Sequence, residues 1–373
     1  MHTIRPNYFA LLLVTASLFL LNTLHSLAGD YEVTLRPKQL DWKPKRVFIQ
    51  EVIDRRKEKN NGVAFSEGSS RVSPVRFNPE LPKQIYDFFR HSVTNDTSLV
   101  PVTVFIDAMK FDDKGSAARH SLFLDFKITI VRRVDGKEYE LYQTNAKPEI
   151  RAVGTPPNTC EDLLEKILEK LLVSFEDYVN THNDQPTLCK RIIPELHYDK
   201  SFSNYENGDT IRWTNNYRLK WSDFQGKPSS SSPFSAQSQC IFTYSATFDY
   251  RNLDAYLLVN MYPTFARKYS WVRPDLKTPE LLGHEQLHFD ICELFIRQMR
   301  KKILTMHLSL VDPETEIRPV FDQAWIDYQK TQNAYDEETN HGTIDKEQQR
   351  WKEKISNELD EYVEFRTKNI AEE

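Results

Sequence analysis

The feature that most constrains the fold is an apolar, helix-forming segment that starts near residue 278 and carries two histidines one turn apart. Thr278 can cap this helix, Pro279 suits its first position, and Glu280 suits the positive end of the helix dipole. Apolar residues then recur on most sides as far as residue 308. A helix that is apolar on most sides needs other elements around it, so this segment predicts the centre of a folded domain.

Within the predicted helix, residues 284–288 read His-Glu-Gln-Leu-His, an H-E-x-x-H motif. Residues four apart lie on one helix face, with Cβ atoms about 5–6 Å apart, so both imidazoles can reach one metal ion. We therefore predict that His284 and His288 are zinc ligands. Glu285 is rotated by about 100° from His284. This position predicts a general base that takes a proton from a metal-activated water.

A catalytic zinc needs a third protein ligand as well as an open position. The acidic residues that follow in the same helix point away from the two histidines because of the helical rotation. His341 lies in a turn between two later helices that can fold back onto the first. We predict His341 as the third metal ligand. Glu338 and Asp336 are the acidic alternatives, and a solvent-exposed turn is the alternative for His341 itself.

The amino-terminal residues 1–28 predict a signal peptide, with Arg5 before an apolar stretch and small residues at Ser26 and Ala28 for cleavage. The mature protein is then secreted or periplasmic, without stable membrane insertion. An uncleaved anchor is the alternative, although the apolar stretch is short for a span of about 20 residues. The formal net charge of −5 supplies no electrostatic reason to bind nucleic acid.

The pattern of predicted elements indicates an α+β protein with two domains. Residues 29–180 predict a small α+β domain with several strands and an amphipathic helix over 160–179. Residues 181–196 predict a polar linker. The second domain, 197–373, is expected to contain two strands before the motif helix, then a helix after Pro319 and a last helix from residue 344. The first domain carries no catalytic pattern and is interpreted as a docking module for an envelope partner.

Four cysteines follow the predicted signal peptide, at positions 160, 189, 240 and 292. In an oxidising compartment they can form up to two disulfides, and three pairings are open. Cys160 and Cys189 bracket one predicted helix, so this pair is the favoured one. The spacing lacks the C-x-x-C pattern of a structural zinc site.

Three blocks of the second domain resemble the bacterial domain-of-unknown-function family 922, described as predicted secreted zinc-dependent proteases. The blocks are residues 219–228 (LKWSDFQGKP), 270–293 (SWVRPDLKTPELLGHEQLHFDICE) and 335–351 (YDEETNHGTIDKEQQRW). Leu287 stands where the family commonly has glycine, whereas the segment from Tyr335 to Gly342 is intact. The resemblance, which covers roughly residues 205–365, implies metal-dependent proteolysis and supports His341 as the third ligand.

Motif and resemblance together predict a zincin-like metalloprotease domain, in which strands pack against the helix that carries the motif. The expected activity is hydrolysis of amide bonds in a protein or peptide substrate, with Tyr335 stabilising the oxyanion. Two alternatives are a non-peptidase zinc hydrolase of the cell envelope and a non-catalytic envelope interaction protein with a structural metal site. Glu285 separates the last from the others, because a structural site needs no carboxylate beside its ligands.

Overall fold

The structure, a computed structural model, describes residues 29–37, 45–92, 96–197 and 208–367. It is a mixed α+β structure, as predicted, with five α-helices and several sheets in the described part. The chain divides into two compact units between Asn183 and Asp184, and each unit is described by itself. The predicted signal peptide, residues 1–28, lies outside the described residues.

An eight-stranded sheet forms the first unit, built around two long antiparallel strands, β5 and β6. The predicted turn at Asp135 and Gly136 joins β6 to β7, and both residues have positive φ, as a two-residue hairpin turn requires. The strands are β1 (Tyr31–Val33), β2 (Val47–Asp54), β3 (Gly62–Phe65), β4 (Val72–Phe77), β5 (Val100–Ser116), β6 (Arg119–Val134), β7 (Lys137–Ala146) and β8 (Glu149–Val153).

Two helices belong to the same unit, α1 (Leu81–Ser92) and α2 (Thr159–Thr181). Helix α2 contacts β6 and β7, and the ring of Phe175 lies 5.8 Å from that of Tyr142. The leucines that predicted this amphipathic helix are buried at helical spacing. The core of the first unit is therefore apolar packing between sheet and helix.

A four-stranded sheet and three helices form the second unit. Strand β13 (Asp254–Ala266) pairs antiparallel with β12 (Cys240–Arg251) and β10 (Thr210–Arg212), and parallel with β9 (Ile192–Leu196). Strand β9 lies within the segment predicted as linker; its branched apolar residues suit a strand and pair with β13. A separate two-stranded sheet joins β11 (Ala236–Gln237) to β14 (Trp271–Val272).

The three helices are α3 (Pro279–Leu304), α4 (Pro313–Thr339) and α5 (Asp345–Glu361). Helix α3 begins as predicted, with the Thr278 hydroxyl accepting a hydrogen bond from the Leu281 amide at 3.2 Å. It contacts α4, α5 and the sheet, so it is covered on most sides. Its buried residues share one apolar core with those of its neighbours, including Phe265, Leu287, Phe289, Tyr328, Tyr335, Trp351 and Ile355.

Helix α4 begins at Pro313, before the start that the sequence predicts. Asp312 caps it through the Thr315 amide, and Pro313 occupies the first position, where a proline lacks only an amide that would be unpaired anyway. Pro319, after which the sequence predicts the helix, lies inside it. The predicted break at Thr339 is confirmed, because α4 ends there.

The predicted Cys160–Cys189 disulfide is not formed, since all four cysteines are buried free thiols and these two lie in different units. Burial raises the pKa of the Cys240 and Cys292 thiols, which favours their unreactive protonated form. Within the part of the chain described, every helix is too short or too polar to cross a membrane.

Candidate metal centre

Three side chains converge where α3 meets α4. His284 and His288 lie one turn apart on α3, and their Nε2 atoms are 3.2 Å from each other. Asp336, near the end of α4, places Oδ1 3.1 Å from the Nε2 of His284 and 3.0 Å from the Nε2 of His288. The three atoms therefore form a nearly equilateral triangle. Among the described residues this is the group of donors that could hold a metal ion.

The triangle has dimensions suited to one metal ion. Ligands of a tetrahedral zinc at about 2.0–2.1 Å lie about 3.3 Å from one another, and the observed distances of 3.0 to 3.2 Å are close to this value. Two imidazole nitrogens and one carboxylate oxygen also match the ligand types that zinc accepts in catalytic sites. The residues present therefore fit a zinc ion in both geometry and chemistry.

Two glutamine side chains orient the imidazoles. The Nδ1 atom of His288 contacts Oε1 of Gln332, and the Nδ1 atom of His284 lies 3.2 Å from Oε1 of Gln348. An amide oxygen only accepts hydrogen bonds, so both glutamines suit an imidazole that carries a proton on Nδ1. A metal on Nε2 requires the proton to be on Nδ1.

Electrostatics at the site favour positive charge. Burial disfavours an ionised Asp336, but hydrogen bonds from His284 and His288 outweigh it and hold the pKa of that carboxyl well below its usual range. Burial also opposes protonation of His288, yet the hydrogen bond to Asp336 and the negative charge of Glu285 raise its pKa. The negative charges of Asp336 and Glu285 thus both act on His288, an arrangement that suits a bound cation.

Glu285 lies beside the triangle without belonging to it. Its side chain is buried, and its Oε2 atom is buried without a hydrogen-bond partner in the described structure. Most buried polar atoms in proteins are hydrogen-bonded, so an unpartnered carboxylate oxygen at this place points to a ligand or water that completes it. Glu285 also lines the same cavity as His284, His288 and Asp336.

That cavity has a volume of about 690 Å³ and opens over the three donor atoms. One wall is formed by residues 233–240, which include β11, and another by residues of α4 between 325 and 336. The motif residues of α3 form its floor. A volume of this order accommodates a substantial organic ligand or several residues of a peptide.

His341 adjoins the three-residue group but is outside it. Its Nδ1 lies 3.5 Å from Oδ1 of Asp336, its side chain is 48% exposed, and its ring packs on Phe234 at 4.8 Å between centroids. The third donor of the triangle is Asp336, which the sequence offers as an alternative. The sequence predicts His341 for this place. Glu338, the other alternative, accepts hydrogen bonds from Trp351 and Arg350 on α5.

The turn after α4 is shaped by three consecutive residues with positive φ, Asn340, His341 and Gly342. A Cβ atom at position 342 would lie 2.9 Å from the His284 side chain, so only glycine allows this approach. The His341 amide donates to the Asp336 carbonyl oxygen at 2.8 Å. The turn therefore places His341 at the cavity and packs the backbone against a motif imidazole.

Tyr335 occupies a different position from the one expected of an oxyanion donor. It is fully buried, and its ring stacks on His284 at 4.6 Å. Its hydroxyl lies 2.9 Å from Oε1 of Gln348 and 3.3 Å from the His284 carbonyl oxygen, and both are acceptors. The Gln348 amide nitrogen donates to the same hydroxyl at 2.6 Å. Tyr335 is not among the residues that line the cavity. Its contacts support the ring of His284 from behind.

Gln332 and Gln348 are site residues that the sequence does not predict. Gln332 had a signal, since it is a polar residue within the otherwise apolar stripe of α4 and lies four residues before Asp336, on the same helix face. Gln348 had none, because its role depends on how α5 packs against α3. Such a contact between distant segments leaves no local pattern in the sequence.

Comparison with known proteins supports one family. Residues 268–342 match the profile of the family described as "Bacterial protein of unknown function (DUF922)", which is the family that the sequence resemblance names. The matched segment holds the motif, Asp336 and His341. No curated protein matches the chain.

Two solved structures show weak similarity. One is the crystal structure of a Xanthomonas campestris protein that is assigned to the family model DUF330. The two sequences are 9% identical, the match covers 40% of this chain and 93% of that chain, and the TM-score is 0.25. The other is the crystal structure of an uncharacterized protein with 7% sequence identity. That match covers 40% of this chain and 96% of that chain, and the TM-score is 0.21. At these TM-scores neither supports a conclusion about fold or function.

Proposed function

We propose that this protein is an exported zinc-dependent peptidase with a zincin-like second domain, secreted or periplasmic after cleavage of residues 1–28. The observation that carries the proposal is the triangle of His284, His288 and Asp336 next to the unpartnered Oε2 of Glu285. The substrate is a protein or peptide, which the open cavity admits. The family match covers both the motif segment and the turn at His341.

Zinc in such a site supplies Lewis acidity, which polarises a carbonyl group and lowers the pKa of water. The protein's own residues supply the rest. Gln332 and Gln348 hold the two imidazoles in the ligating tautomer. Glu285 accepts the proton of the attacking water at Oε2 and passes it to the departing amine nitrogen. The hydroxyl of Tyr335 faces the α3 backbone, so Tyr335 serves to position the ring of His284.

The two alternatives differ from the peptidase in ways that can be measured. A structural metal site has no use for a buried, unpartnered carboxylate oxygen beside the ligands, and Glu285 has one. A non-peptidase hydrolase of the cell envelope would use the same zinc chemistry on another amide or ester bond. Only the substrate separates it from a peptidase.

The proposal is tested with Glu285→Gln. The variant should bind zinc as the unsubstituted protein does, because Glu285 is outside the triangle, and should lose peptide hydrolysis by about 100-fold or more, because an amide cannot accept the proton. Zinc is measured by elemental analysis and hydrolysis with a library of quenched fluorescent peptides. Exposed Glu280→Gln, on the same helix, is the matched control and should change neither quantity.

Each outcome has a distinct meaning. Hydrolysis that survives Glu285→Gln removes this residue from the mechanism. A zinc-loaded protein that cleaves no peptide but cleaves cell-wall amides or esters supports the non-peptidase hydrolase. A zinc-loaded protein that cleaves none of these supports the structural site.

A further inference from the structure

Four aromatic side chains of β12 and α4 form a surface that is partly open to solvent. This aromatic surface consists of Phe242, Tyr244, Phe321 and Trp325. The ring of Phe242 meets that of Trp325 edge-on at 5.5 Å, and Tyr244 stacks on Phe321 at 4.2 Å. Trp325 is 42% exposed and Tyr244 is 59% exposed. Several large aromatic side chains left open together commonly mark a binding site.

The aromatic surface is continuous with the cavity of the metal centre. Trp325 lines the cavity that also holds Glu285 and His288. On α4, Trp325, Gln329, Gln332 and Asp336 follow one another at intervals of three or four residues, so they share one face of the helix. That face leads from the metal ligand to the exposed indole without leaving the cavity wall.

The distance along this face corresponds to a few residues of extended peptide. Trp325 and Asp336 are eleven positions apart in the helix, which is about 16 Å at about 1.5 Å per residue. An extended chain advances about 3.3 Å per residue, so about five residues cover the same distance. Strand β12 is also an edge strand in the described sheet, which leaves one side open to an extended chain.

We infer that the aromatic surface around Trp325 binds an aromatic or aliphatic side chain of the peptide substrate, about five residues from the bond that is cut. The inference rests on the proposed function, because it names the substrate class of the same cavity. Aromatic side chains that are half open and fixed by stacking offer a large apolar contact area at small entropic cost. The remaining walls of the cavity are mostly polar, so this surface is the part that selects for apolar residues.

The test measures peptide binding separately from cleavage. Zinc-loaded full-length protein with Glu285→Gln is titrated into short fluorescein-labelled peptides made of Ala, Gly and Ser. Each test peptide carries one Phe, and its position differs from peptide to peptide. The control peptide has Ser in place of the Phe. Fluorescence anisotropy should show tighter binding of a Phe peptide. Trp325→Ala in the same background should weaken that binding about tenfold, as truncation of an aromatic anchor does, and leave the Ser peptide unaffected.

Two further variants control for structural damage. Phe248→Ala removes a partly exposed aromatic residue from the same strand that is outside the aromatic surface, so it should leave binding unchanged. Trp325→Phe should retain most of the preference for the Phe peptide, because it keeps an aromatic ring at this place.

The outcomes separate this inference from the proposed function. Equal binding of Phe and Ser peptides, equal binding by Trp325→Ala and its parent, or no binding of any peptide overturns the inference. Binding that depends on Trp325, combined with no hydrolysis by the unsubstituted protein, supports the surface as a peptide site and counts against the peptidase alone.

Discussion

At the scale of single residues, the structure raises a question about the third metal ligand. Asp336 contacts the Nε2 atoms of both motif histidines, whereas His341 contacts only Asp336 among the three donors and is half exposed. A residue bonded to the metal contributes far more to affinity than one that orients a ligand. The two residues can therefore be ranked by their separate effects on zinc binding.

We expect Asp336→Ala to lower zinc affinity by orders of magnitude, because it removes one donor of the triangle. His341→Ala should cost only about 10–100-fold, the range for a residue that contacts a ligand. Competition with a chromophoric zinc chelator measures both constants. Asn333→Ala, in the same cavity wall but outside the donor group, serves as control. A larger loss for His341→Ala than for Asp336→Ala would make His341 the ligand, as predicted from the sequence.

At the scale of elements, helix α5 braces the motif helix through one side chain. Gln348 of α5 accepts from Nδ1 of His284 and donates to the hydroxyl of Tyr335, whose ring stacks on the same imidazole. The turn at Gly342 also brings its backbone against the side chain of His284. The orientation of a ligand on α3 therefore depends on α4, the turn and α5 together.

Gln348→Leu should lower zinc affinity about 10–100-fold, because the imidazole of His284 loses the acceptor that holds its proton on Nδ1. Gln348→Glu should retain most of the affinity, since a carboxylate is an equally good acceptor. The neighbouring exposed Gln349→Leu is the control and should have no effect. Chelator competition measures zinc affinity, and circular dichroism checks that α5 remains folded. Unchanged affinity in Gln348→Leu would show that packing alone orients the ring.

At the scale of the whole molecule, the metal centre belongs to one of two compact units. All three donors come from residues after Asp184, and they join α3 to α4 across the core of the second unit. A metal that binds only the folded state stabilises that state, and the stabilisation grows with the logarithm of the ratio of free metal to its dissociation constant. The two units should therefore respond differently to removal of zinc.

Removal of zinc with a chelator should lower the melting temperature of the second unit and leave that of the first unchanged. Binding of zinc to the folded state alone contributes about 2.7 kcal/mol at a free concentration 100-fold above its dissociation constant. Differential scanning calorimetry with and without the chelator measures the shift, and added zinc should reverse it. Asp336→Ala should show little response to the chelator. A shift confined to the first unit would place the metal elsewhere.

The local sequence was sufficient for elements whose pattern lies within one segment. The cap at Thr278, the apolar period of α3, the hairpin at Asp135 and Gly136 and the end of α4 at Thr339 all follow from neighbouring residues. The same local pattern placed His284 and His288 on one helix face. Local patterns were less reliable for the start of α4, because Pro319 suggests a start and the cap at Asp312 provides the actual one.

By itself the sequence determined the helix, the pair of imidazoles and the acid beside them, because helical spacing places residues four apart on one face whatever the rest of the chain does. Only the tertiary structure decided that Asp336 meets both imidazoles, that Gln332 and Gln348 contact their Nδ1 atoms, and that the Tyr335 hydroxyl lies against the His284 carbonyl oxygen. Those contacts join residues 44 to 64 positions apart. They depend on how α4 and α5 pack against α3, and long-range packing of this kind has no periodic signature along the chain.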